Sequence, residues 1–559
     1  MTHKIFIFLI FILGLTFQAC QPSPKADAIY INANIWTGDA DNPHAEAIAI
    51  QGDSILFVGG VQSVKKFQDA NTQVIDLEGK LVTPGFIDNH THFLSGGFQL
   101  ASVDLRSAKT PQEFIQRIKN FAATLPEGDD RWILGGDWDH EAWGGELPRR
   151  EWIDSITTDF PVWVNRLDGH MALANSKALQ LAGITSITTA PEGGTIVRDA
   201  KTGQLTGIFK DEAMGLVTQA IPVPSEQAFD EAFGRAVQHA LSLGVTQVHD
   251  VSSFGGWDDL ATYRRAQESG RLPMRIYSFV AINTWQQLAD YVSKNGRGND
   301  YLRWGALKGF VDGSLGSTTA WFYNPYNDEP NTSGLLVNDT AALREWIIQA
   351  DAAGLQVAVH AIGDRANDWL LSVFEKAILQ NGEKASRRFR IEHAQHLTRD
   401  AIQKFAQIGV IPSMQPYHAI DDGRWAEKRI GPERIKTTYA FRSLLDANAR
   451  LTFGSDWTVA PLNPMEGIYA AVTRQTIDGA NPNGWVPQEK ISVEEALRCY
   501  TIHNAYAGFQ ENRLGILKAG MLADFVVLSD DLFKIQPEKI KDVNVLRTIV
   551  GGKEVFVAK

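Results

Sequence analysis

Eight short apolar runs recur along the middle of this chain, and helical periodicity follows most of them. They lie near Leu81–His92, Val245–Val251, Arg275–Ile282, Ala306–Asp312, Gln356–His360, Arg388–His393, Val410–Met414 and Leu451–Asp456. Segments such as AALREWIIQADAAG, with a 3.6-residue period, separate them. Strands alternating with helices predict a parallel sheet, and eight of them predict an α/β fold, a TIM-like (β/α)8 barrel over residues 81–509. The spacing fails once. About 150 residues separate the first run from the second, far more than a crossover needs. Residues from about 98 to 240 therefore read as a large insertion after the first strand. That insertion has patterns of its own in PQEFIQRIKNFAATL and FPVWVNRLDGHMALANSKALQLAG.

Both ends of the chain alternate apolar and polar positions in short runs broken by Gly, Asp and Asn, the pattern of small antiparallel strands. Residues 28–80 and 510–559 are expected to combine into one small composite β-sandwich. Ahead of them, Lys4 precedes IFIFLIFILGLTF and then Gln-Ala-Cys. A basic start, an apolar stretch and a small residue before a break predict a signal peptide over 1–19. Cys20 resembles the cysteine of a bacterial lipobox. That resemblance implies a lipid on Cys20, a tether over 20–27, and an exported chain, periplasmic or at the cell surface, anchored to the bacterial membrane.

Composition narrows the chemistry. A formal net charge of -12 and no basic stretch argue against a nucleic-acid partner. With only Cys20 and Cys499, a disulfide framework and a thiolate zinc site are excluded. Any metal ligands must offer nitrogen and oxygen.

Such residues end the apolar runs: His90 and His92 in PGFIDNHTH, Lys308 in WGALKGFVDG, His360 in LQVAVHAIGD, His393 in RRFRIEHAQ and Asp456 in LTFGSDWTV. Two residues apart on a strand, His90 and His92 share a face. In a barrel all the C-terminal strand ends surround one pocket, so four imidazoles, a carboxylate and a lysine there read as a two-metal hydrolase site. Each has a plainer reading as well: core histidines, a snorkelling lysine, an Asp at a helix N-cap. A buried lysine loses its proton easily, and a neutral Lys308 amine can take up carbon dioxide as a carbamate whose two oxygens bridge two metals. Asp456 is placed to pass a proton from an attacking water to a leaving amine. Asp312 would orient a ligand or cap a loop; Asp364 and Arg365 would hold substrate or pair structurally; His418 would face the pocket after the seventh strand. The five tryptophans between Trp132 and Trp163 would line the pocket or fill the core of the insertion.

PGFIDNHTH, the strand-borne Lys308, HAIGD, IEHAQ, FGSDW and the late KAGMLADFVVL together resemble the amidohydrolase superfamily, nearest the subgroup that includes N-substituted formamide deformylases. The resemblance spans nearly the whole chain after the leader. It implies two divalent ions, usually zinc, with His90, His92 and Asp456 holding one. His360 and His393 would hold the other, with carboxylated Lys308 bridging. It also implies hydrolysis of an amide-like C–N bond in a small molecule, and places His170, in the insertion, as an imidazole reaching the substrate. Lactone or ester hydrolysis, or deamination, on the same site is the alternative. A metal-cleft binding lipoprotein without turnover would predict a lost ligand or a lost Asp456, and the sequence keeps all of them.

Overall fold

The computed structural model describes residues 24–126, 131–166, 171–191, 194–252 and 255–559. The leader, Cys20 and His170 lie outside the described residues.

Eight parallel strands form one sheet: β1 (Phe86–Thr91), β2 (Val245–Asp250), β3 (Arg275–Ala281), β4 (Leu302–Phe310), β5 (Gln356–Ala361), β6 (Arg390–His393), β7 (Ile411–Met414) and β8 (Thr452–Phe453). They are hydrogen-bonded in sequence order. The seam between β8 and β1 is drawn together by a parallel bridge, Thr91 to Trp457, and by Asp456 N–H donating to the His90 carbonyl at 2.8 Å. The ring is thus a nearly closed α/β barrel, with an apolar layer of Tyr277, Phe279, Ala306 and Ala358 inside it. Two small residues face two aromatic rings in that layer, which lets the tapering interior fill without voids.

The first apolar run is not one strand. Leu81–Pro84 belongs to a different sheet, where it pairs with Asn34–Trp36 and Phe525–Leu528, and only Phe86–Thr91 enters the barrel. The chain crosses between the sheets at Gly85, where a Cβ would sit 2.3 Å from the Thr246 hydroxyl oxygen. Both halves are wholly buried, so hydropathy alone carried no mark of the break.

The sheet holding Leu81–Pro84 orders its strands Lys553–Val557, Val545–Val550, Phe525–Leu528, Leu81–Pro84, Asn34–Trp36 and His44–Ala45, so both ends of the chain build it. A second sheet of Ser54–Gly59, Ala47–Gln51, Ala28–Ile31 and Gln73–Asp76 shares one apolar cluster with it, including Tyr30, Ile48, Ile50, Val82, Phe525 and Ile549.

A six-stranded sheet within residues 103–211 lies between β1 and β2 in sequence. It has its own apolar clusters, and Trp132, Trp138 and Trp163 belong to them, with Trp143 and Trp152 packed against one. These tryptophans are core. The helix Glu226–Ser242, read from sequence as part of the insertion, packs on the helix Phe93–Gln99 and on β2. It is the barrel helix preceding β2, and the insertion is correspondingly shorter.

The barrel and the chain's C-terminal strands are locked by one buried ion pair. Arg275 donates to both Asp524 oxygens at 2.7 Å, stacks on Tyr301, and is fully buried. Asp524→Ala would strand that guanidinium, so unfolding should become easier by about 3–5 kcal/mol. Urea denaturation measures this, and a change below about 1 kcal/mol would show the pair is dispensable.

Candidate metal centre

At the C-terminal end of the barrel, the backbone is bent to deliver side chains inward. His393, Ala394 and Asp456 adopt φ of 73°, 45° and 60°, and Ser252 adopts 57°. Such left-handed backbone in residues with a Cβ costs energy and gathers at functional sites. Gly454, two residues before Asp456, has no alternative. A Cβ there would lie 2.6 Å from the Asn89 side-chain oxygen and from the His90 nitrogen. This close approach seats β8 against β1 and sets Asp456 beside the two histidines.

His90 Nε2 and His92 Nε2 lie 3.5 and 3.1 Å from Asp456 Oδ1. His393 Nδ1 is 3.9 Å and His418 Nε2 3.8 Å from the other oxygen, Oδ2. The ligand atoms of His90, His92 and Asp456 lie within 4.8 Å of one another, as do those of His393, His418 and Asp456. The His360 ring stands 4.5 Å from that of His393, centroid to centroid. Lys308 Nζ lies 3.2 Å from His90 Nε2. The structure therefore gathers all six donors named from sequence, and adds His418.

The orientation of the imidazoles tests whether the site suits a metal. His90 Nδ1 faces a Glu392 oxygen at 2.5 Å, and His92 Nδ1 the Ser252 carbonyl at 2.9 Å. His360 Nε2 faces the Gly313 carbonyl at 3.0 Å, and His393 Nδ1 the Gln415 side-chain oxygen at 2.9 Å. All four partners are acceptors, so each of these nitrogens carries the proton. In His90 and His92 this leaves Nε2, the nitrogen facing Asp456, to carry the lone pair, the arrangement found in metal-binding histidines. A buried group of this kind needs a Lewis acid or a donor to satisfy it, and a divalent ion fits.

Electrostatics agree. Burial, then the nearby Lys308 charge, push His90 down to about 4 against the opposing pull of Glu392. The same two causes take His360 down to about 3. Burial and its neighbouring imidazoles hold His393 well below the ordinary range. Burial works against ionising Asp456, but His90, His92 and His393 outweigh it and hold the carboxyl well below its usual value. Neutral imidazoles around an ionised carboxylate are the ligand state a divalent cation requires. Lys308 is 5 % exposed, and burial brings its amine down to about 8, opposed by Glu392 and Asp456.

The remaining sequence candidates sort differently. Asp312 accepts from the backbone N–H groups of Trp321, Ile362 and Gly363 at 2.7, 3.0 and 2.9 Å. It pins the loop after β4 to the loop after β5, and its Oδ1 is 3.5 Å from His360 Nε2. Asp364 accepts from Tyr323 N–H, and Arg365 stacks on Trp321. Among the described residues neither bonds to a donor of the centre. Among the described residues, His418 Nε2 is buried without a hydrogen-bond partner, and it faces Asp456. Cys499 is a buried free thiol.

Sequence reasoning missed the groups that hold the histidines. Ser252 and Gly313 act through backbone carbonyls, which no sequence pattern marks. Glu392 did leave a signal: with Arg390 it forms a charged pair two apart, on one face of a wholly buried four-residue strand.

Comparison with known proteins places this geometry. A family model described as the amidohydrolase family matches residues 73–556. The chain is 44% identical over 543 residues to the protein LONG AFTER FAR-RED 3 of Arabidopsis thaliana, covering 95% of this chain and 92% of that one. It is 30% identical over 543 residues to an N-substituted formamide deformylase of Arthrobacter pascens, covering 94% and 97%. Among solved structures, a metal-dependent hydrolase from Pyrococcus horikoshii superposes with a TM-score of 0.77 at 30% identity, over 91% of this chain and 99% of that one.

Proposed function

The chain belongs to the amidohydrolase family and is a hydrolase of that metal-dependent class; we propose that it opens an amide-like C–N bond of a small molecule, with N-substituted formamides the first class to test. One observation carries the metal part of this reading: His90 and His92, each holding an acceptor through Nδ1, both present Nε2 to the ionised Asp456, at 3.5 and 3.1 Å. The bond type draws on the formamide deformylase relative.

His90, His92 and Asp456 would hold one ion. His360 and His393 would hold a second, with a carbamate on Lys308 between them; zinc suits the nitrogen and oxygen donors. Bound ions would supply an acidified water and an electrophile for the substrate carbonyl oxygen. The chain's own groups do the rest. Lys308 Nζ, unprotonated, bonds to the carbon of carbon dioxide and releases a proton, leaving a two-oxygen anion. Asp456 accepts a proton from the attacking water and returns it to the leaving nitrogen as the C–N bond breaks, so acid and amine leave together. Glu392, Ser252, Gly313 and Gln415 keep the imidazoles aimed. We place the enzyme outside the cytoplasm, tethered by lipid on Cys20, on the strength of the leader's basic, apolar and small-residue order.

The test uses protein lacking the residues before Cys20. Roughly two zinc ions per chain are expected, with hydrolysis of N-formyl amines lost on chelation and restored by zinc. N-acyl amines and lactones are assayed beside them, and faster lactone cleavage would replace the C–N reading with an ester-type one. A folded chain that binds no metal would overturn the proposal.

A further inference from the structure

Beneath the metal donors lies a buried charge network that none of the proposed chemistry uses directly. Arg390 and Glu392, both fully buried, alternate on β6 and share its inner face. Arg390 Nε donates to Glu392 Oε1 at 2.7 Å, and Nη2 to Oε2 at 3.1 Å. The same Nη2 reaches the Asn89 carbonyl on β1 at 2.6 Å and Ser413 Oγ on β7 at 3.2 Å. Nη1 meets His249 Nδ1 on β2 at 3.1 Å. One guanidinium thus ties together four strands of the barrel floor.

Glu392 is the outlet of this network. Its Oε2 accepts from Ser413 Oγ at 2.6 Å and from His90 Nδ1 at 2.5 Å. The His90 nitrogen sits on a carboxylate at 2.5 Å, whereas His92, His360 and His393 meet neutral oxygens at 2.9–3.0 Å, with the Asp312 carboxylate farther off, 3.5 Å from His360 Nε2. His90 also stands at the middle of the cluster: Lys308, His92, His393 and Asp456 all lie against it.

We propose that Glu392, its charge balanced by Arg390, is the positioning residue that sets the strength of the metal centre through His90. A carboxylate accepts the Nδ1 proton more strongly than a carbonyl does, which fixes the Nδ1–H tautomer and enriches the Nε2 lone pair. Arg390 makes this possible, because a lone carboxylate at that depth would not stay charged. Glu392 touches neither substrate nor metal. This inference rests on the metal-dependent reading above.

Cobalt(II) is the probe, because its visible absorption reports ligand geometry and its affinity can be read by competition with a chelator. Glu392→Gln keeps the volume but presents an amide that can donate to Nδ1 as easily as accept from it. Cobalt affinity should fall roughly 10–100-fold, with altered absorption bands, in protein whose circular dichroism matches wild type. If that variant leaves Arg390 stranded and unfolds, the double variant Arg390→Gln/Glu392→Gln removes both charges together and should show the same weakening. Wild-type affinity and wild-type bands in either folded variant would overturn the assignment while leaving the metal reading intact. Failure of the wild-type chain to bind cobalt would overturn both.

Discussion

Asp456→Asn is expected to lower kcat by roughly 10²–10⁴-fold, the range lost when a positioned proton carrier is removed, while the protein stays folded. The folding half of the expectation follows from the backbone. Asp456 holds φ at 60°, a conformation that asparagine adopts at least as readily as aspartate. Its N–H donates to the His90 carbonyl at 2.8 Å, and that bond survives the change. The catalytic half follows from the carboxylate. Asp456 is 6 % exposed and stands against His90, His92, His393 and His418, so it is the one ionised carboxylate that faces all of them. An amide can bind a cation weakly through oxygen but cannot accept a proton from water at neutral pH. The variant should keep at least one metal per chain through the histidines. Steady-state kinetics beside metal analysis on the same sample decides the matter. Near wild-type kcat would remove Asp456 from proton transfer, and complete metal loss would make its role ligation alone.

Much of this site was legible because barrel geometry ties position to period. Each donor ends an apolar run, and apolar runs at regular spacing are what hydrophobic patterning reveals best. His90, Lys308 and His360 sit on barrel strands, and His393 ends one. His92 and Asp456 fall just past theirs. Less was legible where burial was uniform. Leu81–Pro84 and Phe86–Thr91 are equally buried, so the step from one sheet to the next left no trace in hydropathy. The helix Glu226–Ser242 is amphipathic like any surface helix, and nothing in its sequence assigned it to the barrel rather than the insertion. Least legible were the partners of the histidines. A backbone carbonyl such as Ser252 or Gly313 becomes an acceptor only through folding, and the left-handed turn that aims the Ser252 carbonyl is a tertiary strain, not a residue preference. His418 was visible as a histidine after β7. Its approach to Asp456 depends on the helix Pro416–Asp422 starting immediately at the strand end.

Lys308→Ala should bring metal content down from roughly two ions per chain to one or fewer, with most hydrolysis lost alongside. The argument begins with burial. Lys308 lies inside the barrel on the inward face of β4, its neighbour two residues back being Ala306 of the interior layer. Among the described residues it has no carboxylate ion-pair partner. It bonds to His90 Nε2, the nitrogen that would face a metal. An ammonium held there would be a buried cation beside a cation site, costly in itself and hostile to any second positive charge. Burial instead draws the amine down to about 8, within reach of the neutral form at ordinary pH. A neutral amine in that position can bond to carbon dioxide, and the product exchanges an unwelcome positive charge for a negative one shared by two oxygens. Alanine removes the nitrogen and leaves a gap. Small carboxylates such as acetate or propionate could enter it, so adding them should restore part of the metal and part of the rate. Native mass spectrometry of the wild-type protein under carbon dioxide should show the mass of one added carboxyl, absent from the variant. Unchanged metal content in a folded Lys308→Ala protein would remove the bridge and leave each ion, if two are present, to the histidines and Asp456.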